Sequence, residues 1–416
     1  MKKTLYLRLS AMMFLFYVAA GAIIPIMSLY MHSVLGFTGM QIGMVLSLSM
    51  LSALASPLIG AFIADRVLPA ESVLGITQIA AGVCMFLIAF QDRFVPFFML
   101  FAVYELLFGP GVALTNTVFF HHTPDARRQF GGVRLWGTAG WVAAGWFFSL
   151  FWLGTGKGVL GDALFFSGGT SVALGLFALT LAPGGGLPPR RRELVPRAAL
   201  RLMLKPQLYM VVLAAVVVQF VDKYYYFGAA PYLDSLGFAE VAIMPAMSIG
   251  QISEIISMLF LGMFLARLGF RKVMLLGIVM ELGRFSCFLF GTSKASALIG
   301  LIFHGPAFAF FFAAAFIYVD SFADTESRAG VQQLFNLVTI GIGNFLGSII
   351  AGLVFEGAIL SRTGEAPGMA GTVGRAAETF SLSSGADFRI FWAVPLVMVI
   401  LLLMVLASGW FAGRRK

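Results

Sequence analysis

Charge is scarce in this chain. Only 11% of its 416 residues are Asp, Glu, Lys or Arg, against roughly 25% in a soluble domain. Cysteine is scarcer still: Cys84 and Cys287 are the whole complement, and both lie in apolar runs. That excludes a disulfide framework or a thiolate metal site, and both read as small hydrophobes. No HExxH, CxxC pair, Walker loop or Ser/His/Asp set is present. An intramembrane enzyme would have no visible machinery, and a self-contained ATP-driven pump would lack its nucleotide loop. Neither a metal nor a cofactor is expected. The net charge of +9 does not announce a nucleic-acid partner, because the basic residues gather in short loops between apolar segments, where membrane orientation explains them.

What the chain has in abundance is apolar length. Hydrophobic residues make up 60% of it and the mean hydropathy is +0.93, which defines a polytopic protein whose standing partner is the lipid bilayer. After Lys2 and Lys3 an apolar run continues to about Met31, longer than the ~7 to 15 residues of a signal core, so it reads as a first membrane helix. At ~20 residues per crossing, spans fall near 5–31, 39–64, 71–90, 94–119, 130–153 and 158–182, then 207–233, 239–265, 272–291, 295–319, 327–354 and 389–412. The expected fold is therefore an all-α membrane protein of twelve transmembrane helices, with one six-helix bundle over 1–182 and a second over 207–416.

Between them, residues 183–206 are rich in Gly and Pro and carry Arg190, Arg191, Arg192, Arg197, Arg201 and Lys205, the composition of a linker lying over a membrane surface. Further basic residues (Arg66, Arg127, Arg128, Arg267, Arg271, Lys272, Arg414, Arg415 and Lys416) fall in the even-numbered loops and at the termini. The positive-inside rule then puts both termini and the linker in the cytoplasm of a cell membrane, with Gly357 to Asp387 as one long outer loop.

The two halves repeat. Leu35-Gly36-Phe37 recurs as Leu236-Gly237-Phe238, and 236 − 35 = 201. Arg66 faces Arg267, and Arg127, Thr138 and Gly140 match Arg328, Thr339 and Gly341, all at the same offset of 201. Gly109-Pro110 matches Gly305-Pro306 at 305 − 109 = 196. Repeated halves with Gly/Pro interruptions at corresponding places are a mark of secondary transporters, whose substrate cavity lies near the midplane.

Several polar residues sit at membrane depth. The stretch Ala246 to Leu265 is long enough to span, yet Gln251 and Glu254 fall on one face of it with Met247 and Met258. A buried ionisable group there costs at least ~2.5 kcal/mol and points to function; the bland reading is a hydrogen bond between helices. Arg134, Thr138 and Trp141 form a stripe on helix 5 that suits a polar ring, the alternative being an arginine that snorkels to water. Helix 7 aligns Gln219, Asp222, Lys223 and Tyr226, and Asp222 with Lys223 reads equally as an internal ion pair. His304, Phe308 and Phe311 share a stripe on helix 10, Gln332, Asn336 and Thr339 on helix 11, and Glu105 and Asn116 on helix 4. Glu281 and Arg284 on helix 9 are one turn apart and read as a structural pair.

The loop Gly262 to Lys272, with Ala266-Arg267 and Gly269 before Arg271-Lys272, resembles the signature loop of the major facilitator superfamily. Its usual acid is replaced by Ala266; the first-half copy keeps Asp65-Arg66 without the trailing basic pair. Arg134-Leu-Trp-Gly-Thr138 and Gln251-Ile-Ser-Glu254, with Asn116, Arg284-Phe285 and Arg328, resemble the nucleoside:proton symporter family of that superfamily. The resemblance implies that Arg134, Thr138, Gln251, Glu254 and Phe308 line a nucleoside site with an aromatic at Trp141. Four positions depart from the pattern: Asp222 and Tyr225 stand where the family has amides, His304 where it has tyrosine, and Ala309 where it has aspartate.

The expectation is a proton-coupled nucleoside importer working by alternating access as a monomer. Its substrate is bound by Arg134, Thr138, Trp141, Asp222, Tyr225, Gln251, Glu254, His304 and Phe308. Glu254 is the principal proton carrier, with Asp222 and Glu105 behind it. Two alternatives stay open: a same-fold transporter of a sugar or other small polar solute, and a transporter-like membrane sensor.

Overall fold

The computed structural model describes residues 3–58, 68–123, 126–182, 197–323, 328–357 and 388–412. The expectations placed on Asp65-Arg66, on most of the linker, on loop 358–387 and on the terminal basic residues lie outside them. Ten helices among the described residues are long and apolar enough to cross a membrane. One of these, the 51-residue Glu240–Phe290, is broken at Gly269 (φ 73°), and a less apolar helix at Ala126–Phe147 completes the twelve. In order they are α1 Lys3–Val34, α2 Gly39–Ser56, α3 Ala70–Ala89 and α4 Phe94–His122; α5 Ala126–Phe147; α6 Asp162–Leu179; α7 Pro206–Ser235; α8 and α9 at 240–268 and 270–290; α10 Lys294–Asp320 and α11 Gly330–Phe355; and α12 Phe388–Ala412. A short helix, Arg197–Met203, precedes α7.

Two compact units result, residues 1–37 with 48–194, and residues 38–47 with 195–416. Within the first, Phe16 of α1 stacks on Phe108 of α4 at 4.9 Å, and Gly82 of α3 lies against the backbone of Gly168 in α6. Within the second, α7, α9 and α12 share an aromatic core, with Tyr224 4.3 Å from Phe391 and Phe288 4.9 Å from Trp392 between ring centroids. The opening turns of α2 belong to this unit: Gly39 meets the Gly352 carbonyl of α11, and the Met40 N–H donates to the Glu356 carboxylate at 2.9 Å. Large apolar side chains cover the outside, among them Leu259 (78% exposed), Phe290 (74%) and Val95 (66%). Water would not tolerate such a surface, whereas hydrocarbon does.

The repeat is physical as well as textual. Gly36 and Gly237 both take positive φ, 65° and 77°, so the Leu-Gly-Phe turn closes α1 and α7 with the same left-handed residue, which glycine adopts without a Cβ penalty. The Gly/Pro interruptions also correspond. Pro306 has no N–H to give the carbonyl four residues back; that carbonyl, Ile302 O, instead accepts the Ser253 hydroxyl of α8 at 2.8 Å. Gly305 makes room for this, since a Cβ there would overlap Ser253 Oγ and the Glu254 backbone nitrogen. In the first unit a Cβ on Gly109 would overlap the Ser52 hydroxyl of α2 in the same way, and 253 − 52 again gives 201. Small side chains that let two membrane helices approach closely, with a hydroxyl bonding across them, are how such interfaces are held.

Gly305→Ala is therefore expected to cost about 1–3 kcal/mol by overpacking, lowering the unfolding temperature of the detergent-solubilised protein. A Gly305→Ala protein that melts with the wild type would show that the α8–α10 contact is not close-packed.

Candidate functional site

Four helices of the second unit bring polar groups together at membrane depth: α7 with Asp222, Tyr225 and Tyr226, α8 with Gln251, α9 with Glu281 and Arg284, and α10 with His304. Arg284 is the centre. Its side chain has no exposure, and Glu281 (1%) and His304 (3%) are almost as buried. The guanidinium lies 2.5 Å from Glu281 Oε2, donates to His304 Nδ1 at 2.6 Å and stands 3.7 Å from Asp222 Oδ1. Its plane sits over the Tyr225 ring, 4.4 Å from the centroid, a cation–π contact strengthened by the absence of water. Tyr225 also stacks on the His304 imidazole at 5.2 Å, and Tyr226 meets it edge-on at 5.8 Å.

Gln251 joins the group through its amide, which donates to the Tyr226 hydroxyl at 3.3 Å. Glu254 is one turn further along α8, half-buried, where Gly305 presses on its backbone. Phe308 is half-buried at the start of a widened, π-type turn, Phe308–Ala313, with its ring 5.5 Å from Phe312. Wide turns of this kind inside α-helices are frequent at functional sites.

The first unit carries its own set. The Arg134 guanidinium lies 4.3 Å from the centre of the Tyr17 ring on α1, while Thr138 and Trp141 are half-buried further along α5. Gly21 admits the Trp141 backbone, which would stand 2.8 Å from a Cβ at that position. The Ser52 hydroxyl donates to the Glu105 carboxylate and shares that proton with the Glu105 backbone carbonyl.

Other expectations resolve differently. The helix 7 stripe divides among four neighbouring helices: Gln219 donates to Asn344 of α11 at 2.8 Å, Asp222 faces Arg284 of α9 and His304 of α10, and Tyr226 meets Gln251 of α8. The base next to Asp222 in sequence, Lys223, has its Cβ toward Gly347 of α11. On α11, Gln332 donates to the Phe316 carbonyl at 3.0 Å and Thr339 to its own helix at Phe335 O, 2.7 Å, so both serve the backbone. The pair Glu281–Arg284 is more than a structural pair on α9, since Arg284 reaches two groups on two other helices. Its signal in the sequence was an arginine in the middle of an apolar span, which marks function by itself. Asn344 and Ser52 gave no comparable signal.

Twelve long helices among the described residues, in two units related by a sequence repeat and carrying buried charge within apolar spans, define a secondary transporter of the major facilitator fold. The chain belongs to the nucleoside H+ symporter family, whose model matches residues 1–412; members of this family are permeases, not enzymes. It is 31% identical over 368 residues to YegT of Escherichia coli (strain K12), covering 84% of each chain. It is 28% identical over 374 residues to the xanthosine permease of the same organism, covering 84% of this chain and 88% of that one. A solved structure of the nucleoside transporter NupG superposes with a TM-score of 0.80 at 24% identity, over 98% of this chain and 99% of the other, which establishes the fold.

Removing one member of a buried ion pair strands the others, at a cost of about 3–5 kcal/mol. Arg284→Met is expected to lower thermal stability by that order, and Glu281→Met in the same protein to restore part of the loss. If Arg284→Met melts like the wild type, the cluster does not hold the second unit together.

Proposed function

We propose that the protein imports nucleosides together with protons, by alternating access, as a monomer with both termini in the cytoplasm. The observation that carries this reading is the aromatic-walled polar cluster on α7 to α10, in a chain whose whole length matches the nucleoside H+ symporter family. A nucleoside presents a flat base and ribose hydroxyls. Rings interleaved with an amide, a carboxylate and an imidazole offer both stacking planes and hydrogen-bond partners. Arg134, Thr138 and Trp141 supply the same mixture on α5, and Gln251, Glu254, His304, Phe308, Asp222 and Tyr225 supply it in the second unit. The names of the permeases that this chain resembles support the substrate class.

A sugar or another small polar solute is the second reading, favoured by the departures at Asp222, Tyr225, His304 and Ala309. A site built to bond a hydroxyl rejects analogues lacking it far more strongly than an apolar site rejects a change of size, so these four positions are able to redirect specificity. Calorimetry on the purified protein across nucleosides, free bases and sugars decides between the two. Nucleoside binding is expected, with Gln251→Ala weakening it by about 1–3 kcal/mol, roughly 5- to 150-fold, and Trp141→Ala weakening it through lost stacking. Binding of sugars and of no nucleoside would overturn the nucleoside reading and leave the transporter.

Coupling falls to the acids at membrane depth. Glu254 and Asp222 in the second unit are the candidates, with Glu105, bonded to Ser52, the third. Glu254→Gln is expected to abolish uphill accumulation of labelled uridine in vesicles under an imposed proton gradient; accumulation at the wild-type level would remove Glu254 from the coupling scheme.

A further inference from the structure

His304 Nδ1 faces two rivals. Arg284 Nη1 stands 2.6 Å away and Asp222 Oδ1 3.6 Å away. A guanidinium only donates hydrogen bonds, so at 2.6 Å the imidazole nitrogen must accept: His304 is neutral, with its proton on Nε2. Asp222 Oδ1, 3.7 Å from Arg284 and 3.6 Å from His304, is just beyond hydrogen-bond distance of both. Among the described residues, the other groups in contact with the ring are aromatic or backbone. Tyr225 and Tyr226 of α7 present ring faces and edges, and α8 meets it at Gly250, where a Cβ would touch Cδ2 at 3.0 Å.

We propose that His304 and Asp222 form a proton-accepting pair, and that a proton arriving at His304 Nδ1 exchanges its partner from Arg284 to Asp222. This rests on the reading of the protein as a proton-coupled transporter and names where the proton sits. The proton adds to the Nδ1 lone pair and no other covalent bond changes. Nδ1 becomes a donor, which can no longer accept from Arg284 but has the Asp222 carboxylate 3.6 Å away. Arg284 keeps Glu281, 2.5 Å away, so its charge is not stranded by the exchange.

Charge balance favours one proton. The ionisable residues in the middle of α7 to α10 are the acids Asp222, Glu254 and Glu281, the bases Lys223 and Arg284, and His304. With the acids and bases at their formal charges and His304 neutral the sum is 2 − 3 = −1, which a single added proton brings to zero. Burial makes the neutral sum the cheaper one. The exchange also has mechanical content, because Asp222, Arg284 and His304 belong to α7, α9 and α10. Moving a hydrogen bond from the α9–α10 pair to the α7–α10 pair biases how these three helices pack, which is what a coupled transporter needs from its proton.

The test reads the imidazole directly. The chain has four histidines, so solid-state NMR of the full-length protein in lipid with ¹⁵N-labelled histidine yields few signals, and His304→Gln identifies the one from His304. On acidification over the whole range in which the protein stays folded, Nδ1 is expected to pass from unprotonated to protonated, and Asp222→Asn is expected to move that transition to lower pH. A second readout is the ratio of protons to uridine taken up by the same vesicles, which is expected to fall at least tenfold in His304→Gln and Asp222→Asn whatever rate remains. If Nδ1 stays unprotonated across the range, or titrates identically in Asp222→Asn, the pair is overturned. A wild-type protein that binds no nucleoside would defeat the functional reading instead and leave the ¹⁵N result standing.

Discussion

A guanidinium keeps its charge at any pH a cell meets, so complete burial of Arg284 obliges the second unit to surround it. Glu281 neutralises it from the same helix, His304 accepts from it across α10, Asp222 stands near it on α7, and Tyr225 turns its ring face to it. Each contact fixes a side chain that would otherwise choose among rotamers. Four polar residues on three helices are thereby held at defined positions in an environment where an unpaired charge costs several kcal/mol. Asp222 stands within ion-pair distance of both Arg284 and His304, and the proposed exchange uses that second contact.

The cluster depends on close approach of helices that ordinary side chains would keep apart. Gly305 with Pro306 brings α10 against α8, and the Ser253 hydroxyl occupies the carbonyl that proline leaves open. Gly109 and Ser52 form the matching joint between α4 and α2. One joint positions His304 beside Arg284, and the other positions Ser52 on Glu105. A duplicated helix–helix contact has thus come to carry an imidazole in one half and a carboxylate in the other. The same backbone device stands beside different chemistry, since His304 directly precedes Gly305 and Glu105 lies one turn before Gly109.

The fold was legible because the bilayer imposes a length and a polarity that sequence shows directly. Even Gly269, where α8 ends and α9 begins, lies between the expected spans. The pairing of side chains was much less legible. Asp222 has Lys223 beside it in sequence and also faces Arg284, 62 residues on (284 − 222). Periodicity shows which face of a helix a residue occupies but not which helix it meets. That information lies in interhelix contacts such as Gly305 against Ser253, which only the assembled unit displays. Arg284 was visible as a charge in an apolar span, and Glu281 was its obvious partner at one turn. Nothing local indicated that His304 and Asp222 would share it.

The resemblance to the nucleoside:proton symporters isolated four departures, and three of them prove to be neighbours. Tyr225 stacks on His304, His304 Nδ1 is 3.6 Å from Asp222, and Arg284 touches all three. Such residues are not independent. An aspartate on α7 is tolerable because Arg284 is near it, and an imidazole on α10 satisfies Arg284 only while it remains neutral. The fourth departure, Ala309, is fully buried and brings no charge to α10. In effect the acid lies on α7 rather than α10, and the groups around it have the chemistry that this placement demands. Exchanging His304 alone would leave the Arg284 donor without its acceptor, and exchanging Asp222 alone would take a carboxylate from beside a buried guanidinium. On the proposed reading, specificity and coupling depend on the same side chains, so a change in what the protein carries is also a change in how it holds its proton.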